Sequence, residues 1–140
     1  MVTNPQKGGR VLSNKRVLHI GIAPRGVIHK RMLEIAKGAR RSMNEPRVWF
    51  TSTEALAKVL SRSNMMLIEM IRHTDPASVT ELAERVGRKK TNVLRSLKTL
   101  KQYEIVDFES GESGRKAPKV NYDDFHIDGM IGHGSTGKAA

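Results

Sequence analysis

The chain has 140 residues, a formal net charge of +11, a pI near 10.4 and no cysteine. Disulfides, thiol nucleophiles and cysteine-ligated zinc are therefore excluded. There is no run of about 18 apolar residues to span a bilayer, and at 4% aromatic the chain has little to insert into a membrane surface. So much positive charge calls for a polyanionic partner, nucleic acid first. Residues 1–47 hold eleven Lys or Arg against Glu34 and Glu45, whereas residues 48–140 hold fourteen against twelve acidic residues. The N-terminus lacks the apolar core of a signal peptide, so a cytoplasmic, nucleoid-associated protein is expected.

Residues 1–16 are polar, basic and aperiodic, and read as a flexible tail. VLHIGIA at 17–23 suits a short strand, and Pro24 suits the first turn of a helix. Ile28, Met32, Ile35 and Ala39 recur at helical spacing, predicting a helix over 25–38 that ends at Gly38. RVWF at 47–50 is a second strand. Residues 17–50 thus read as a β/α leader of βαβ type that needs an apolar surface to lean on, with Trp49 as its expected peg. That surface belongs either to the rest of the chain or to a second copy.

From Thr51 the periodicity is clearer. Thr51-x-x-Glu54 predicts a capping box before a short helix carrying Leu56, Val59 and Leu60. Ser63 is the expected cap of the next helix, with Leu67, Ile68 and Ile71 inside and Met65, Met66 and Met70 read as core. Pro76 breaks the chain. Ser78-x-x-Glu81 is a second capping box, opening a helix with Val79, Leu82, Ala83 and Val86, and Gly87 stands where a left-handed residue ends it. Then comes RVGRKKTNVLRSLKTLKQY, residues 85–103, with seven basic residues and no acidic one, and with Val93, Leu97 and Leu100 on one face. After Tyr103 the period changes to two. IVDFES, the turn GESGRK and APKVNYD predict a hairpin, with Pro118 on an edge strand. The Gly-rich segment 128–140 reads as a disordered tail.

Helix, capped helix, glycine turn, basic helix and hairpin in this order resemble the winged helix-turn-helix of MarR-like and ArsR-like transcriptional regulators. The resemblance is carried by SVTELAERVGRKKTNVLRSLKTLKQYEIVDFES at 78–110 and by GESGRKAPKVNYD after it. It implies an α+β fold with a winged helix-turn-helix over 51–127. The small leader at 17–50, whose strands have open edges that could pair across a two-fold axis, is the available dimerisation element. One departure stands out: such regulators carry glycine before the wing, where this chain has Glu104 in YEIV.

The resemblance also implies a division of labour. Ser78–Val86 would cross the DNA backbone and the helix at about 89–102 would enter the major groove. Thr91, Asn92, Arg95 and Ser96 would face base edges, and Arg88, Lys89, Lys90 and Lys98 would meet phosphates. The wing, 106–122, would bring Arg115 and Lys116 to the backbone or minor groove. The expected function is that of a sequence-specific DNA-binding transcriptional regulator, a repressor, whose partners are double-stranded DNA and a second copy of the chain in a homodimer on a pseudo-palindrome. Two alternatives compete: an antitoxin-type autoregulator with a toxin partner, and a non-specific architectural nucleic-acid-binding protein.

Enzyme chemistry is not expected. None of the five histidines has a partner at metal-ligand spacing. GIAPRG and GESGRK lack the Gly-Lys-Ser/Thr order of a phosphate loop. No nucleophile with a base and an orienting group is visible. Neither a metal nor a cofactor is predicted.

Overall fold

Residues 15–111 and 114–129 are described by a computed structural model. They form β1 (Val17–Ile22), α1 (Arg25–Ala36), β2 (Val48–Phe50), α2 (Thr53–Val59), α3 (Arg62–Thr74), α4 (Val79–Val86), α5 (Lys90–Gln102), β3 (Val106–Ser110), β4 (Lys116–Val120) and β5 (Asp124–Gly129). The fold is mixed α+β. Among these residues no helix is long and apolar enough to cross a membrane.

Alternation along β1 buries Leu18 and Ile20 on one face of a three-stranded parallel sheet of order β2-β1-β5. Ile20 sits opposite Val48 on one side and Ile127 on the other. Parallel neighbours need long crossovers: α1 links β1 to β2, and everything from α2 to β4 lies between β2 and β5. The second sheet is the antiparallel hairpin β3-β4, in register from Val106↔Val120 to Ser110↔Lys116.

A single core joins the parallel sheet to the helices. Leu18, Ile20, Val48 and Phe50 meet Leu67, Ile71, Leu82, Leu97, Leu100 and Ile105 in one buried cluster. The peg from the leader is Phe50, stacked on Tyr103 with ring centroids 4.6 Å apart. Trp49, expected in that role, points to the other face of the sheet, because neighbouring strand residues alternate faces. There its ring lies over Gly21, where a Cβ would come within 2.4 Å of it.

Serine hydroxyls begin three consecutive helices. Ser52 accepts from the Ala55 amide at 3.1 Å, Ser61 from Asn64 at 3.2 Å and Ser78 from Glu81 at 3.1 Å. The caps of α2 and α3 are therefore Ser52 and Ser61 rather than Thr51 and Ser63: each has the extended backbone just before its helix, whereas Ser63 lies inside α3. Both α4 and α5 end in Schellman motifs. Arg88 N–H donates to Ala83 O (3.1 Å) with Gly87 at φ 71°, and Ile105 N–H donates to Leu100 O (3.0 Å) with Glu104 at φ 63°.

Other expectations are corrected. Asp128 and Gly129, expected in a disordered tail, are strand residues of β5; residues 130–140 lie outside the described residues. Arg16, expected in a flexible tail, donates its N–H to Asp123 at 2.9 Å, and Lys15 pairs with Asp124 at 2.9 Å. The rest of that tail, 1–14, also lies outside. Met66 is 59% exposed rather than core, while Met65 and Met70 pack against the core. The apolar face expected of α1 buries no residue fully.

Candidate nucleic-acid interface

The sequence of α5 divides its surface cleanly. Val93, Leu97 and Leu100 are fully buried, so the opposite face must meet solvent or a partner. Thr91, Asn92, Arg95 and Lys98 lie on that exposed face, with Lys89 and Lys90 at its N-terminal end. The helix begins at Lys89 without a side-chain cap and has no acidic residue in its first turn. Three cations, Arg88, Lys89 and Lys90, stand at the positive end of the helix dipole, where cations are locally unfavourable. The free amides and these cations together form a strongly anion-attracting corner.

Ser96 and Arg88 are placed differently from the other predicted residues. The Arg88 guanidinium donates to Ser63 Oγ at 3.1 Å and to Ser96 Oγ at 3.3 Å, and both Arg88 and Ser96 are half-buried. Arg88 thus ties the start of α3 to the middle of α5, and Ser96 is turned into the fold rather than outward. Arg95 Nη1 donates to Asn92 Oδ1 at 3.3 Å, one turn back. That contact aligns a guanidinium and an amide side by side on the exposed face. Both groups can read base edges bidentately, Arg on guanine and Asn on adenine.

The hairpin supplies the other wall. Gly111 N–H donates to Arg115 O at 2.7 Å, closing the turn, and Gly114 takes φ 73° there. Arg115 and Lys116 are exposed, and with Lys90 and Leu94 of α5 and Ser78, Thr80 and Glu84 of the α4 end they line one cleft of about 720 Å³. Glu81, also on the cleft, is paired with Arg85 at 3.3 Å. Among the described residues, Glu84 is thus the cleft's unpaired carboxylate, against three unpaired cations. The hairpin is fixed to the helices through Lys119 and Asp75, the left-handed residue that ends α3; the carboxylate holds the Lys119 ammonium above its ordinary range.

Of the ten predicted residues, eight are exposed along α5 and the hairpin, while Arg88 and Ser96 are engaged within the fold. Arg62, not expected in the site, is exposed and precedes Ser63, the residue that Arg88 bonds. The signal was spatial, and its spacing of 26 from Arg88 carries no periodicity. Away from this face, His19 and His126 lie opposite each other on β1 and β5 with ring centroids 5.1 Å apart. Among the described residues no group of three His, Cys, Asp or Glu could hold a metal ion.

Residues 59–127 match the model of the HVO_A0114 family. The match runs from the end of α2 into β5 and leaves out β1, α1 and β2. No curated protein and no solved structure matches the chain.

Proposed function

We propose that this protein is a sequence-specific DNA-binding transcriptional regulator of the winged helix-turn-helix type. In this reading α4 and α5 form the helix-turn-helix, α5 enters the major groove and the β3-β4 hairpin is the wing. The observation that carries the reading is the gathering of unpaired cations. Lys89, Lys90, Arg95 and Lys98 on α5 and Arg115 and Lys116 on the hairpin face outward with no acidic partner among the described residues. A phosphate backbone along that face would complement both the side chains and the dipole of α5. Asn92 and Arg95 are the base-reading pair, and Arg88 is a positioning residue acting through Ser63 and Ser96. One such helix reads few base pairs, so the active form is a dimer on paired half-sites about 34 Å apart.

The test is selection of bound fragments from genomic DNA, followed by titration of wild type and Arg95→Ala on the selected and a scrambled duplex. Removing a base-reading side chain costs about 1–3 kcal/mol on the selected duplex and little on the scrambled one. Equal losses on both would place Arg95 on phosphate and favour the architectural alternative.

A further inference from the structure

Ion pairs divide the cations of this fold unevenly. Arg16, Arg47, Arg72, Arg85, Lys101 and Lys119 each pair with a carboxylate. Between Arg25 and Arg41 there are six Lys or Arg and a single acidic residue, Glu34. Arg31 takes Glu34 at 3.0 Å and also Glu45, through Nε at 2.6 Å and Nη2 at 2.7 Å. Arg25, Lys30, Lys37, Arg40 and Arg41 are exposed and have no ion pair among the described residues. Apart from Lys58 and Arg62, the unpaired cations of the described chain fall into two groups: the α5–hairpin face, and this one on α1 and the loop after it.

The second group is held in place. Arg31 grips Glu45 with two bonds and donates to the Arg40 carbonyl at 2.9 Å, so the loop is folded back beside α1. Arg40 and Arg41 are thereby kept beside α1, the helix that carries Lys30 and ends at Lys37. α1 buries no residue fully in the core, and Lys30 and Lys37 are exposed on it.

We propose that α1 and the 37–41 loop form a second nucleic-acid contact surface that takes the phosphodiester backbone of duplex DNA outside the segment read by α5. This rests on the DNA-binding reading of α5. The charge complementarity of the patch selects the occupant. A second copy of the same patch would set cations against cations. The Arg47–Glu104 ion pair, at 3.0 Å, fixes the leader near the C-terminal end of α5. A helix of 13 residues is about 20 Å long, about six base pairs of duplex. The proposed second surface would therefore take phosphates beyond those that α5 spans.

The test uses the full chain and a random-sequence duplex of about 30 base pairs, long enough for both surfaces. Lys30→Gln, Lys37→Gln, Arg40→Gln and Arg41→Gln are combined, with Arg31 kept so that the loop stays folded back. The slope of log K against log salt should fall by about two to four units, at about 0.9 for each phosphate no longer neutralised, with at least about a tenfold loss of affinity at low salt. Exchanging the same four positions between Lys and Arg should keep the wild-type slope. A parallel variant, Lys90→Ala with Arg95→Ala, reports on α5 alone. An unchanged slope in the leader variant while the α5 variant loses affinity overturns the second surface and leaves the α5 reading intact. Loss in the leader variant alone overturns the α5 reading, and with it a second surface beside α5, and leaves the leader as the sole nucleic-acid contact. A wild type that binds no duplex overturns both. A changed sedimentation coefficient with an unchanged salt slope assigns the patch to self-association and overturns the proposal.

Discussion

Arg47, the residue before β2, pairs with Glu104, the left-handed residue that closes α5, at 3.0 Å. The contact joins the parallel sheet to the turn between α5 and the hairpin, and the carboxylate holds the Arg47 guanidinium above its ordinary range. Two effects oppose each other at Glu104. A non-glycine residue at φ 63° is strained by about 1–2 kcal/mol. The ion pair has both side chains more than half exposed, so it is worth less than about 1 kcal/mol. Strain wins. Glu104→Gly is expected to be at least as stable as wild type, by up to about 1 kcal/mol, even though it removes the ion pair. Glu104→Ala keeps the strain and loses the pair, so it should fall below both. Urea denaturation of the three proteins measures this, and equal stability of the Ala and Gly variants would show that the turn is unstrained.

Gly21 is required by its neighbour rather than by its backbone. A Cβ there would stand 2.4 and 2.5 Å from the Trp49 ring and 2.9 Å from the Pro46 side chain. Gly21→Ala should therefore destabilise the protein by about 1–3 kcal/mol, as overpacking does. Trp49→Leu should relieve the clash, so the double variant should lose less than the sum of the single losses. A double-mutant cycle that adds within about 0.5 kcal/mol would mean that the sheet moves aside at no cost.

Helical periodicity, Ser78 with Glu81, and Gly87 made α4 and α5 legible in the sequence, and the period of two made the hairpin so. The caps of α2 and α3 were ambiguous because Thr51, Ser52 and Thr53, and likewise Ser61 and Ser63, are all competent by residue type. Backbone geometry made the choice. β5 was not legible for a different reason. Its partner Val17 is 107 positions from Asp124, and DFHIDG carries only Phe125 and Ile127 as strand-forming apolar residues. The cations of α5 could be read from charge and period. The bonds from Arg88 to Ser63 and Ser96 could not, since they depend on how α3 crosses α5.

Asp123 makes the attachment of β5 sensitive to acid. Its carboxylate accepts from the Arg16 amide at 2.9 Å and pairs with Arg72 at 3.3 Å and Arg16 at 3.6 Å. The Arg16 amide, ahead of the two guanidinium charges, holds its pKa below the usual carboxylate range. A depressed folded pKa means that this stabilisation is present above the unfolded value, about 4, and is lost as pH falls through the folded value. Asp123→Asn should be less stable than wild type at neutral pH, and the difference should shrink below about pH 4. Glu45 and Asp107, also depressed by their basic partners, act in the same direction in both proteins and cancel in the comparison. A gap that stays constant from pH 7 to about pH 3 would show that charge at Asp123 does not matter.

Arg115 and Lys116 offer the sharpest test of the hairpin's part in the proposed DNA binding. Both are exposed, and both line the cleft that also contains Lys90. They are at the turn end of a two-stranded sheet, where Ser110 is the last strand residue paired across the hairpin, with Lys116. Side chains so placed are long and mobile, and they suit phosphate better than base edges. Replacing both by Ala should weaken binding without changing the preferred sequence and should lower the salt slope by about one to two units. Stability should change by no more than about 0.5 kcal/mol, because neither residue makes an ion pair among the described residues. A salt titration with an unchanged slope would remove the hairpin from the interface and leave α5 as the sole contact of that face. A change in preferred sequence with the slope reduced would instead put one of the two side chains in the minor groove, reading its width.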